Sequence, residues 1–134
     1  MLYVVDAKRR PLAVLANYSL HYVGGVGGGH VSADYFGMFS DRIQELLGAD
    51  RLSPPFVGIM TNGASGDINN IDFYQKRAPR APFEQIRVVA TKAADAAWRA
   101  VKKIEEYDEN PLVAVRQREV TLKYRQTTEA GVER

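Results

Sequence analysis

Two short, unbroken apolar runs constrain this chain more than any other feature: Leu12-Ala13-Val14-Leu15-Ala16 and Phe56-Val57-Gly58-Ile59-Met60. Neither alternates with polar residues. Each therefore reads as a core strand buried on both sides, the pattern of parallel sheets covered by helices. Between them Tyr35, Phe36, Phe39, Ile43, Leu46 and Leu47 recur at helical spacing. They predict a helix from about Ala33 to Leu47, with Ser32 as its N-cap and Gly48 as its stop. A strand, a helix and a strand in that order suit a parallel pair joined by a right-handed crossover.

The remaining elements follow from the same signals. Leu2 to Ala7 reads as a strand, Lys8 to Pro11 as a polar turn, and Leu12 to Ser19 as the hairpin partner. Five glycines between Gly24 and Gly29 carry a high ordering cost, so that loop is mobile unless something offsets the cost. Pro82 suits a first helical position with Glu84 in the first turn, and the helix is expected to run to about Tyr107. Its stripe of Ile86, Val89, Ala90, Ala93, Ala97, Val101 and Ile104 is narrow and rich in alanine, which lets a helix lie close to a sheet. After the turn Asp108-Glu109-Asn110-Pro111, residues Leu112 to Arg125 have strand composition. Their alternation flips parity near Gln117 to Glu119, as a bulge would cause. The order is β-β-α-β-α-β, an α/β class with a mixed β-sheet packed with two helices. Residues 1–125 read as one segment and 126–134 as a disordered tail.

Composition narrows the function classes. The 134 residues are one domain's worth, and a net charge of +2 is too small to imply nucleic acid. The basic residues are scattered over Lys8, Arg9, Arg10, Arg77, Arg80, Lys102 and Lys103 and form no stripe. Cysteine is absent, which excludes disulfides and thiolate metal sites. No run approaches the roughly 18 apolar residues that a membrane helix needs. Met1-Leu2-Tyr3-Val4-Val5-Asp6 lacks the basic leader and the apolar length of a signal peptide.

Chemistry concentrates in three polar loops, each fed by a core element. Asn17-Tyr18-Ser19-Leu20-His21 ends the first apolar run. Ser32-Ala33-Asp34-Tyr35-Phe36-Gly37 opens the first helix, and Asn62-Gly63-Ala64-Ser65-Gly66-Asp67 follows the second run. His21 admits three readings: a zinc ligand, a general base, or a histidine satisfied by its surroundings. The paired-histidine spacings of zinc proteins are absent, and His30 lies nine residues on in the glycine loop. Asp34 is either a partner of the helix N-terminus or a group that acts in a site. Asp67 is either an Asx-turn residue or a carboxylate that orients a ligand or a metal-bound water. The glycine loop fits neither the P-loop nor the dinucleotide fingerprint, and Ala64-Ser65-Gly66 is not a serine-hydrolase elbow. Asn17-Tyr18-Ser19 matches a glycosylation sequon but falls inside a strand.

In register, these loops resemble the central part of the neutral/alkaline ceramidase family, zinc-dependent amidases that cleave the N-acyl bond of sphingolipids. Asn17-Tyr18-Ser19-Leu20-His21 is similar to the family's Asn-aromatic-x-x-His strand end, and Val31-Ser32-Ala33-Asp34 to its Ser-Gly/Asn-Asp segment. Phe56-Val57-Gly58-Ile59-Met60-Thr61-Asn62, running on to Gly66-Asp67-Ile68-Asn69-Asn70, is similar to its strand and Gly-Asp-Val-Ser-Pro-Asn loop. The likeness spans roughly Pro11 to Asn70. It implies a fragment of a larger catalytic domain, a small-molecule amide or lipid substrate, and a secreted or periplasmic location. It places a Zn2+ ligand at His21, with Asp67 and Asn69 orienting substrate or water and Asp34 bracing the loop, and with the other ligands outside this region. One departure bears on the chemistry: where the family has its nucleophilic serine, this chain has Asn69, which has no hydroxyl to attack with. The alternatives are a non-catalytic binding or structural segment on the same scaffold, and an ester- or carbohydrate-cleaving hydrolase. Apolar surface left uncovered in a fragment implies self-association.

Overall fold

A computed structural model describes residues 1–76 and 78–123 of the chain. Five elements follow in order: β1 (Leu2–Val5), β2 (Pro11–Tyr18), α1 (Asp34–Leu46), β3 (Val57–Asn62) and α2 (Glu84–Val101). The three strands form one sheet in the order β1-β2-β3. β1 and β2 are an antiparallel hairpin, whereas β2 and β3 are parallel, with α1 as the crossover between them. This is the mixed sheet with two helices expected of the α/β class, in the order β-β-α-β-α.

The hairpin turn is fixed by one carboxylate. Asp6 accepts the backbone N–H groups of Lys8 and Arg10 at 2.8 Å each and the Arg10 side chain at 2.7 Å. The Arg10 backbone N–H leads in holding the Asp6 carboxyl below its ordinary range; desolvation, second in size, opposes it, and the Arg10 side chain and the Lys8 N–H add to the lowering. Arg9 turns the corner at a φ of 61°. Its guanidinium lies 4.1 Å from the centre of the Tyr107 ring, which also meets Tyr3 on β1.

Register decides which face of the sheet is covered. Val14 pairs with Tyr3 on one side and Gly58 on the other, and this parity faces the helices. Val14, Phe39 and Ile43 are fully buried there, packed with Ala94, Ala97 and Val101 of α2. Burying a side chain the size of Phe39 or Ile43 stabilises the fold by about 1.5–3 kcal/mol. Tyr35, Ile86, Ala90 and Leu20 form a second cluster nearer the loops, and Met60 packs against both clusters. α1 lies so close to β3 that a Cβ at Gly58 would come within 3.0 Å of Ile43 and 3.1 Å of the Ser40 carbonyl. The Ser40 hydroxyl donates to the Gly58 carbonyl at 2.7 Å.

The opposite parity carries Leu2, Val4, Leu15, Val57 and Ile59, which are 39–58% exposed. Burial of the strands on both sides is thus only half met: among the described residues one apolar face of the sheet lies open. Among the described residues no helix is long and apolar enough to cross a membrane.

Several boundaries differ from expectation. The strand expected over Leu112 to Arg125 is absent from the described part, residues 112–123, where Leu112, Val113 and Val115 are almost fully exposed. Tyr124 and Arg125, and the tail expected over 126–134, lie outside the described residues. Strand composition builds no ladder without a neighbouring strand to pair with. α2 begins at Glu84 instead of Pro82, because Phe83 adopts a φ of 64° while its N–H reaches the Gly25 carbonyl. It stops at Val101, well short of Tyr107, and the chain then turns toward β1.

Candidate functional site

β2 and β3 run parallel and end side by side, so the segments that follow them share one rim of the sheet. Ligands of open α/β sheets bind at such carboxyl ends. The two strand ends are held by side chains. Asn17 Nδ2 donates to Thr61 Oγ1 at 2.8 Å, and Thr61 Oγ1 donates to the Ala16 carbonyl at 3.3 Å. Gly63 N–H donates to the Tyr18 carbonyl at 3.1 Å. A Cβ at Gly63 would overlap Ser19 Oγ and stand 3.1 Å from Asn17 Oδ1, so the two segments approach as closely as glycine allows. Asn62, expected to open a loop, instead ends β3, because this network continues the ladder to the pair Tyr18–Asn62.

His21 lies three residues beyond β2, in an arch over residues 20–24. Its backbone N–H donates to the Ile68 carbonyl at 2.9 Å. That bond joins the histidine arch to the segment carrying Asp67 and Asn69, so the structure brings these three residues onto one rim. All three are exposed. His21 Nδ1 lies 3.3 Å from the Tyr22 carbonyl. A proton on Nδ1 shared with that oxygen leaves the lone pair on Nε2, the tautomer that can ligate a metal or take a proton.

The Asp67 segment is braced within itself and from α2. Asn62 Nδ2 donates to Ser65 Oγ at 2.8 Å. Gln85 of α2 donates to Asn70 Oδ1 at 2.9 Å, and Asn70 donates to Asn69 Oδ1 at 3.2 Å. This relay engages the oxygen of Asn69 and leaves its NH2 end to donate elsewhere. Gln85 and Asn70 were not singled out from sequence. Their pairing joins positions fifteen apart and has no local signature.

Asp34 is not exposed on the rim with them. It is only 7% exposed, and its carboxylate is engaged by backbone: Val23 N–H at 3.1 Å, Gly24 N–H at 2.8 Å and its neighbour Tyr35 N–H at 2.7 Å. Its φ of 53° is left-handed, a conformation that aspartate tolerates better than most residues. Ser32 Oγ accepts the Asp34 N–H at 2.9 Å, while Ala33 occupies the N-cap position expected for Ser32. Tyr35 is fully buried and donates its hydroxyl to the Leu20 carbonyl at 2.9 Å. Burial, with smaller contributions from the charges of Asp34, Tyr18 and Tyr22, pushes the Tyr35 phenol up to about 12. The glycine loop is tied at its first two residues: the Gly24 N–H to Asp34, and the Gly25 carbonyl to Phe83 N–H at 3.1 Å. His30 packs edge-on to Phe83.

No family model, no curated protein and no solved structure matches the chain. The likeness to ceramidases therefore rests on the motifs alone.

A zinc centre takes about four ligands, of which a catalytic site draws about three from protein. Among the described residues no three His, Asp or Glu side chains gather as such a set. His21 is one donor, and Asp34 is already engaged by backbone. These residues do not by themselves fit a zinc ion.

Proposed function

We propose that the rim formed by the ends of β2 and β3 is part of a hydrolase site acting on an N-acyl amide bond, as the likeness to neutral ceramidases implies. The observation that supports it is the bond between His21 N–H and the Ile68 carbonyl, which sets the histidine arch beside the Asp67–Asn69 segment. In this reading Nε2 of His21 is the working nitrogen. Asp67 orients the attacking water or the substrate, and the Asn69 amide donates to the oxyanion that forms at the scissile carbonyl. One such donor is worth about 3–4 kcal/mol of transition-state stabilisation. Nε2 of His21 would do one of two jobs in this reading: take a proton, or hold zinc where further ligands come from polypeptide outside these residues.

Asn69 at the nucleophile position favours a second reading, a segment that keeps the scaffold without catalysis. One experiment separates the two. The protein expressed from its complete coding sequence is assayed for bound zinc and for cleavage of matched N-acyl amide, ester and glycoside substrates. The hydrolase reading predicts amide cleavage that falls, together with zinc content, in His21→Ala. Absence of cleavage with any substrate, or a His21→Ala protein with full zinc and full activity, would remove it.

A further inference from the structure

We propose that Tyr35 is the positioning residue for His21, and that with Asp34 it holds both feet of the arch from which the imidazole projects. The peptide unit between Leu20 and His21 is tied through both of its polar groups. Its carbonyl accepts the Tyr35 hydroxyl at 2.9 Å, and its N–H donates to Ile68 at 2.9 Å. A peptide unit is planar, so fixing both groups fixes the plane and with it the position of the His21 Cα. One tie runs to α1 and the other to the segment carrying Asp67 and Asn69. The plane thereby couples a rigid helix to both halves of the rim.

The far foot is held in the same way. Asp34 receives the N–H groups of Val23 and Gly24 on its two oxygens. Between the feet, the Tyr22 ring leans on Phe36 with 5.6 Å between ring centres. Three consecutive residues at the head of α1 thus each engage the arch. Packing alone does not require this: a phenylalanine at position 35 would fill the same space but leave the Leu20 carbonyl without its donor. The left-handed backbone of Asp34 fits the same picture, since such strain persists where surrounding bonds over-determine it.

The inference rests on the reading of His21 as a working residue, but its test does not depend on hydrolysis. Tyr35→Phe and Asp34→Asn are made in the intact chain and followed by amide hydrogen exchange and by the NMR signals of the His21 ring. Loss of one such hydrogen bond should speed exchange at the His21 amide about fivefold, while amides of the β2 core such as Val14 change little. The His21 ring signals should shift or broaden in both variants. Unchanged His21 amide and ring signals in both would overturn the inference, as would a uniform rise in exchange across the core. If the His21 signals move but the complete protein cleaves no substrate, the positioning stands and the hydrolase reading falls.

Discussion

Replacing Gly63 with alanine tests how the rim is built. The two segments meet there through the bond from Gly63 N–H to the Tyr18 carbonyl. A Cβ would overlap Ser19 Oγ and lie 3.1 Å from Asn17 Oδ1 and 3.3 Å from Ser19 Cβ. The new Cβ must displace the Ser19 hydroxyl and press on the Asn17 side chain, which loosens the Asn17–Thr61 pair. Overpacking of this kind costs about 1–3 kcal/mol. With a urea dependence of about 1–3 kcal/mol per molar, Gly63→Ala should lower the unfolding midpoint by roughly 1 M. A double-mutant cycle locates the cause. Ser19→Ala removes the overlapping oxygen, so the pair should recover about 1 kcal/mol relative to additivity. An unchanged midpoint for Gly63→Ala, or strict additivity with Ser19→Ala, would refute this account of the rim.

Three further outcomes follow. Tyr35 stays protonated in the folded chain up to about 12, whereas an unfolded tyrosine ionises near ~10. Its contribution to stability is therefore complete below pH ~10 and lost on going up to about 12, at most about 1.4 kcal/mol per pH unit; urea titrations should show a shallower alkaline fall in Tyr35→Phe. Asp6 has the opposite sign: its folded carboxyl is lowered, so its contribution is present above the ordinary carboxylate range and lost as pH falls through the folded value. Thermal melts of Asp6→Asn should accordingly differ from the parent at neutral pH and converge with it in acid. Finally, the open face bearing Leu15, Val57 and Ile59 should make the chain self-associate as concentration rises, and Ile59→Lys should suppress this in sedimentation runs.

The parts of the fold legible in sequence are those set by local pattern. The apolar runs gave β2 and β3, the helical spacing gave α1, and the continuous character of the runs pointed to the parallel pair. The illegible parts depend on partners distant in the chain. Phe83 turns left-handed because its N–H meets Gly25, and this moves the start of α2. Val113, Val115, Val120 and Leu122 alternate like strand residues, yet none is buried. Pattern supplies the side chains of a strand but not its neighbour. In the site, His21, Asp67 and Asn69 were visible as polar residues after core strands, and the structure sets them on one rim. Tyr35 was read only as core, since nothing local shows where a hydroxyl finds its acceptor. For Asp34 the sequence leaves open a helix-end partner or a group that acts in a site, with loop bracing implied by the resemblance; in the structure its carboxylate meets Val23 and Gly24.

The central claim is that His21 works on a scissile amide at the rim. The direct measurement is kcat/KM for an N-acyl amide substrate with the complete protein, parent against His21→Ala, at matched folded fraction. The claim predicts a loss of about 100-fold or more, the low end of what a positioned proton-transfer group contributes, with the urea midpoint unchanged because His21 is exposed. Equal kcat/KM for the two proteins would contradict it.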